Sequence, residues 1–439
     1  MSDSVDRPDE ESAPASGPDI RRLADWDADR LHELASEFET PLYVLDPQRI
    51  RENCRRLQRA FPAAEIQYAA KAHTGRTTLE TVHDEGLDVE CASAGEVRRA
   101  LAAGVPGADV TYTAVNPPAG DLDDFVDAWA ENPGLTVTAG AADTLDRLAD
   151  REFDGRLRLR INPGVGAGHH EKVVTGGHPK FGVGLDRAPD LAESAAARFE
   201  FAGIHAHAGS GISGEGLDDH RELVRRMGEL ARTLDNRGLS VETVDVGGGF
   251  GVPYREDAPP LDLDAVAGAT REALGETDAT LAIEPGRYVV ADAGLLLTRV
   301  NTVKETPESV VAGVDAGMTT LLRPALYDAY HAVRNLQAPP ASRETVGVTV
   351  AGPVCETADL LCENRPLPRP EREDLLAVGN AGAYGYEMTS TYNSRPRPAE
   401  VTVDGELLRR RERLADVTRA ERPPSEANGF RARDPDTDR

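Results

Sequence analysis

Lysine is nearly missing from these 439 residues: of 49 Lys and Arg, only Lys71, Lys172, Lys180 and Lys304 are lysine. Basic charge is scarce altogether, because 76 acidic residues leave a formal net charge of −27. A field of that sign repels phosphate backbones and anionic lipid, so nucleic-acid and membrane partners are not expected. It suits a halophilic protein, whose self-repulsion concentrated salt screens; an acidic protein of ordinary salt is the other reading. Cysteine is scarce too. Cys54, Cys91, Cys355 and Cys362 are too few for a disulfide framework and stand at no zinc-ligand spacing. No apolar run approaches the roughly 20 residues of a membrane span. The opening MSDSVDRPDEESAPASGPD lacks the basic-then-apolar order of a secretory signal. A soluble, cytoplasmic chain with no metal site is the expectation.

What is present suffices for two domains, since one domain usually takes about 100–200 residues. Residues 1–18 and 421–439 are polar and read as disordered tails. Between them, eight strand-like runs alternate with helical patterns: 66–72, 87–93, 110–115, 135–140, 157–163, 201–208, 243–249 and 281–286. The stretches 95–104 and 218–238 are amphipathic, the second closed by a glycine. Eight β-then-α units predict an α/β fold, a (β/α)8 barrel of the TIM type, over 42–290. After Gly294 strands follow one another with few helices, which predicts a mainly β domain over 291–420. The strand 42–46, at the start of the barrel span, could belong to either domain, and 19–41 is expected to pack with the β domain.

Functional groups of such barrels gather at the C-terminal strand ends, with phosphate often held after strands 7 and 8. The first run ends in Tyr68-Ala-Ala-Lys71-Ala-His73. A lysine kept where arginine is otherwise the rule suits Schiff-base chemistry; a lysine with its head at the surface is the plain alternative. The seventh ends in Asp245-Val-Gly247-Gly248-Gly249, where no Cβ obstructs an anion, although a glycine run can also be merely a turn. The eighth ends in Glu284-Pro285-Gly286-Arg287, a carboxylate and a cation beside that loop. Together these fit pyridoxal 5'-phosphate, with Glu284 facing its pyridine nitrogen. The sixth carries His205-Ala-His207-Ala-Gly-Ser210. Two histidines on one strand face could bind a metal as in barrel hydrolases, stack on a cofactor, or be plain core residues. From the β domain, Arg323, Tyr327, Cys355, Glu356 and Tyr384 are candidates.

These motifs resemble the pyridoxal-phosphate decarboxylases with an alanine-racemase-like barrel, most closely the diaminopimelate decarboxylase family. YAAKA, HAHAGS, DVGGGFG, EPGR, VDAGMTTLLRPALYDAYH, GPVCET and GAYGYEMTSTYNSRPRPAEV occur in the family's order, from about Ala35 to Leu408. The resemblance implies Lys71 as the Schiff-base lysine, His207 stacked on the cofactor ring, and Glu284 at its nitrogen. It places Ser210, Gly247, Gly248, Gly249, Pro285, Gly286 and Arg287 around the phosphate, and Arg287, Arg323 and Tyr327 on the distal substrate carboxylate. Cys355 resembles the proton donor, Glu356 the reader of the distal amine, and Tyr384 a residue touching cofactor and substrate. Cys355 and Glu356 are expected from the other subunit, which implies a homodimer with shared sites. The implied reaction takes meso-2,6-diaminopimelate to L-lysine and CO2. Relatives acting on ornithine, arginine or carboxynorspermidine are the alternative, separated by the distal pocket. His73, Gly211 and Ala358 depart from the family's pattern, which commonly has Asn, Gln and Gly there.

Overall fold

The computed structural model describes residues 19–165, 178, 180–209, 212, 217–307, 309–337 and 342–421. Both tails (save Glu421), Ser210 and Gly211 lie outside the described residues. Eight parallel strands form a closed barrel: β1 (Glu65–Ala69), β2 (Asp88–Cys91), β3 (Val110–Ala114), β4 (Thr136–Ala139), β5 (Arg156–Asn162), β6 (Glu200–His205), β7 (Thr243–Asp245) and β8 (Thr280–Ile283). Closure comes where Ala282 of β8 pairs with Glu65 of β1. All eight correspond to the runs expected. They are rich in Val, Ile, Leu, Thr and Tyr because barrel strands are covered on both faces. Outside lie the helices. The longest, Leu217–Asn236, turns Leu223, Val224, Met227, Leu230 and Leu234 inward, and Gly238 ends it at φ 84°. Side chains of Asp46 and Ser93 cap the helices Pro47–Ala60 and Ala94–Ala102 at their N-termini.

A second sheet is built along the twelve-residue strand Gly294–Glu305. Its neighbours run in the order 360–368, 345–351, 310–314, 294–305, 42–45, 399–402, 407–409, with 375–378 also paired to 294–305. Here one boundary expectation is corrected. The strand Leu42–Leu45 belongs to this sheet and not to the barrel, lying antiparallel to Gly294–Leu297 and parallel to Ala399–Thr402. Its side chains serve three cores, Leu45 packing with that of the barrel. Leu42 and Val44 pack with Leu31 and Leu34 of the helix Ala28–Phe38, whereas Tyr43 faces Leu296, Leu376 and Val378. Buried on both sides, LYVL has the same pattern a barrel strand has; only its partners distinguish the two.

The strand Leu360–Pro368 was not anticipated, because LLCENRPLP carries charges and two prolines. It lies at the sheet's edge, bound on one side to Thr345–Ala351, where a missing N–H costs no ladder bond. No helix among the described residues is long and apolar enough to cross a membrane.

Candidate active site

The ends of β1, β6, β7 and β8 open on one pocket, lined by Lys71, His207, Gly249, Phe250, Glu284, Gly286, Arg287 and Tyr384. Lys71 sits on a 3-10 turn, Ala70–Ala72, that follows β1 directly. Tyr384 reaches the same place from the β domain; its backbone N–H donates to the carbonyl of Ala72 at 2.8 Å, and its own φ is 57°.

The Lys71 amine donates to Glu90 Oε2 at 2.9 Å. Glu90, next to last on β2, is 1% exposed. Burial pulls the lysine's pKa down, but Glu90, Glu284 and Tyr384 outweigh it, and the amine is held well above its usual value. Burial likewise works to raise Glu90, and the Lys71 cation reverses it, so Glu90 stays below the ordinary range. Sequence reasoning missed Glu90. The signal was there, since an acid inside an apolar strand needs a partner.

Among the described residues Glu284 has no such cation at hydrogen-bond distance. Burial first, then Glu90, push its carboxyl up to about 8. His205 Nε2 stands 3.2 Å from Glu284 Oε1. Among the described residues neither that oxygen nor either ring nitrogen of His205 has an aligned hydrogen-bond partner. Burial holds His205 neutral, down to about 4. Asp245 joins these two within 4.8 Å, close enough for an ion, yet it already accepts from the Gly247 N–H at 2.8 Å and faces Arg158 at 3.4 Å. His207 is not part of that group: among the described residues no such cluster combines the two histidines. His207 Nδ1 instead accepts from the Gly248 N–H at 3.1 Å, and burial, Lys71 and Arg160 keep the ring neutral.

The glycines are required sterically. A Cβ on Gly248 would stand 2.1 Å from the Glu284 carbonyl oxygen, and one on Gly247, at φ 72°, would stand 2.7 Å from His207 Nδ1. An amine, a neutral ring, a glycine cradle and an orphaned buried carboxyl oxygen are the groups that pyridoxal phosphate needs, and they fit it.

Beside this pocket lies a second cluster. Arg287 Nη1 donates to the Tyr254 hydroxyl at 2.7 Å and its guanidinium lies 4.8 Å from the Tyr384 ring. Arg323, 2% exposed, stands 4.7 Å over the Tyr254 ring. Among the described residues neither guanidinium has a carboxylate at ion-pair distance; the groups bonded to them are Tyr254 and His331. Burial would raise the Tyr254 phenol, but the two arginines bring it below its usual value. Tyr254 was also missed, although it follows the glycine run closely. Tyr327 ends the short helix Arg323–Tyr327 and is half-buried.

Cys355 and Glu356 are exposed and do not line the Lys71 pocket of their own chain. Their loop is nonetheless well anchored. Buried Asp359 accepts from the Val354 N–H at 2.6 Å, Tyr392 donates to Glu356 at 2.5 Å, and Asn393 stands 3.7 Å from the Cys355 sulfur. His73 has a structural use: Gly75 N–H and Thr78 face its Nδ1, and Nε2 meets Glu400 of the β domain at 2.7 Å.

Comparisons with known proteins agree in direction. The family described as "Pyridoxal-dependent decarboxylase, pyridoxal binding domain" matches residues 47–291. Diaminopimelate decarboxylase of Methanothermobacter thermautotrophicus is 41% identical over 413 residues, covering 90% of this chain and 94% of the relative. The Escherichia coli K12 enzyme of that name is 34% identical, over 90% and 96%. Among solved structures, diaminopimelate decarboxylase from Helicobacter pylori complexed with L-lysine superposes with TM-score 0.82 at 31% identity, covering 89% of this chain and 98% of that one.

Proposed function

This chain belongs to the pyridoxal-dependent decarboxylases, in their diaminopimelate decarboxylase family; from that premise we propose that it converts meso-2,6-diaminopimelate to L-lysine and CO2 with the residues described above. When bound, pyridoxal phosphate supplies the electron sink that accepts the electron pair left as CO2 departs. Lys71 would hold the cofactor through its amine. His207, neutral, would pack on its ring. Glu284 would face the ring nitrogen and keep it protonated. Gly247, Gly248, Gly249, Pro285 and Gly286 cradle the phosphate, with Arg287 beside it and Ser210 assigned there by the family's pattern. Tyr384 closes the pocket against cofactor and substrate.

One observation carries the choice of substrate: among the described residues the guanidiniums of Arg287 and Arg323 have no carboxylate at ion-pair distance. Two buried guanidiniums so placed favour a substrate bearing a second carboxylate, which Arg287, Arg323 and Tyr327 grip. Ornithine brings only an ammonium to that end and leaves both cations unpaired, a costly mismatch in a buried place. Glu356 takes the distal ammonium and Cys355 protonates the α-carbon. Both come from a second copy of the chain in a homodimer, a reading supported by their exposure and their absence from the pocket of their own chain. The free thiols fit a cytoplasmic setting, and the charge of −27 supports a halophilic one.

The test is CO2 release from meso-diaminopimelate, ornithine and arginine by purified protein in high salt with added cofactor. Release from diaminopimelate alone is expected. Release from ornithine or arginine instead would overturn the roles of Arg323 and Glu356 while leaving the cofactor site intact.

A further inference from the structure

We propose that His331 is a positioning residue: it aims Arg323 at the distal carboxylate of the substrate while leaving the guanidinium's charge unspent. The inference rests on the reading of Arg323 given above and extends it to a residue that neither touches the pocket nor carries charge.

The ring's protonation follows from its partners. His331 is 0% exposed. Its Nδ1 meets the carbonyl of Gly379 at 2.8 Å, and a carbonyl can only accept, so Nδ1 bears the proton. Its Nε2 meets Arg323 Nη1 at 2.8 Å, and a guanidinium can only donate, so Nε2 offers its lone pair. One tautomer satisfies both bonds. Gly379 is itself held, its N–H donating to the Ala332 carbonyl at 2.9 Å. The Tyr254 ring meets the imidazole edge-on at 5.2 Å, and Arg365 donates to the His331 carbonyl at 2.9 Å. Burial first, and then Arg323, push the imidazole down to about 3, so it does not become a second cation beside the first.

A buried arginine is usually held by a carboxylate. Here that solution would defeat the purpose, because a carboxylate at position 331 would neutralise Arg323 and displace the substrate's own. A neutral acceptor orients the guanidinium and leaves an unpaired positive charge as the site's demand for an anion. Discrimination against substrates lacking the second carboxylate then follows from what stands behind the arginine as well as from the arginine.

The experiment uses cofactor-loaded protein and measures L-lysine binding by calorimetry, with cadaverine, which keeps both amines and lacks the carboxylate, as comparison. The variants are His331→Glu, His331→Gln, His331→Asn and Arg323→Ala; melting temperature and the absorption of bound cofactor report folding. His331→Glu is expected to weaken lysine at least about thirtyfold, as loss of a buried charge pair does, and to leave cadaverine unmoved. His331→Gln, whose amide oxygen reaches the Nε2 position, is expected to stay within about fivefold of the parent. His331→Asn keeps the Gly379 bond and loses the one to Arg323; about a tenfold loss is expected, and this variant decides the matter if the glutamate does not fold. Lysine binding that is equal in the Glu and Gln proteins, or unchanged in the Asn protein, overturns the role of His331. If Arg323→Ala binds lysine as the parent does, the assignment of Arg323 itself fails, which is a separate result.

Discussion

The two halves of the site are built on opposite plans. At the barrel mouth Lys71, Glu90, His205 and Glu284 lie within one strand bundle, their charges set by burial and by each other. On the β domain Cys355 and Glu356 face outward on a loop whose anchor, Asp359, is buried while its chemistry is not. The first lies within a single chain, where low dielectric does the tuning; for the second, the reading proposed above has a partner copy bring it into the site.

Removing Lys71 tests the barrel half most severely. Lys71→Ala is expected to abolish CO2 release from meso-diaminopimelate and to remove the absorption of attached cofactor, because no other described residue offers an amine in the pocket.

Cys355→Ala tests the other half. The expected loss in kcat is about 10²–10⁴-fold, the usual range for a proton-transfer group, with cofactor absorption intact. Mixing the two inactive proteins sharpens the contrast. If each site takes Lys71 from one copy and Cys355 from the other, reassortment into a closed twofold dimer restores up to about a quarter of the activity. Silence in the mixture, with mixed dimers shown to form, would sink the shared site.

A smaller effect is expected from pH on cofactor-free protein. Glu284, held up to about 8, keeps its proton in the folded chain at pH 7, whereas an unfolded glutamate, at about 4.3, does not. The folded state thus binds the extra proton between those values. Its contribution to stability is full below about pH 4 and is lost as pH rises through about 8. Melting temperatures of parent and Glu284→Gln, compared between about pH 5 and 9, should diverge with the parent falling more steeply.

The smallest effect spreads over the surface that neither half uses. Exposed pairs such as Arg225 with Glu222 and Glu229 contribute little each. Net repulsion at −27 is the larger matter. Raising salt from about 0.1 M to about 1 M, which shortens the screening length from about 10 Å to about 3 Å, is expected to raise the melting temperature. A fall would refute the halophilic reading.

Local patterns carried most of the architecture. The barrel strands are visible because each run is short, carries apolar or β-branched residues and ends in residues that punctuate structure, and the chemistry follows at those ends. Lys71, the glycine run and Glu284 stand out for the same reason: residue type and position along the strand suffice to suggest them. The chain could not announce Glu90 as the partner of Lys71, 19 residues away, or His331 as the ring behind Arg323. Nor could it say which sheet owns Leu42–Leu45, whose partners lie some 250 and 350 residues downstream. Periodicity and residue chemistry are properties of neighbours in sequence, and they determined the strands, the helices and the cofactor class. Pairing, burial and the resulting charge states are properties of neighbours in space, and only the folded chain decided them.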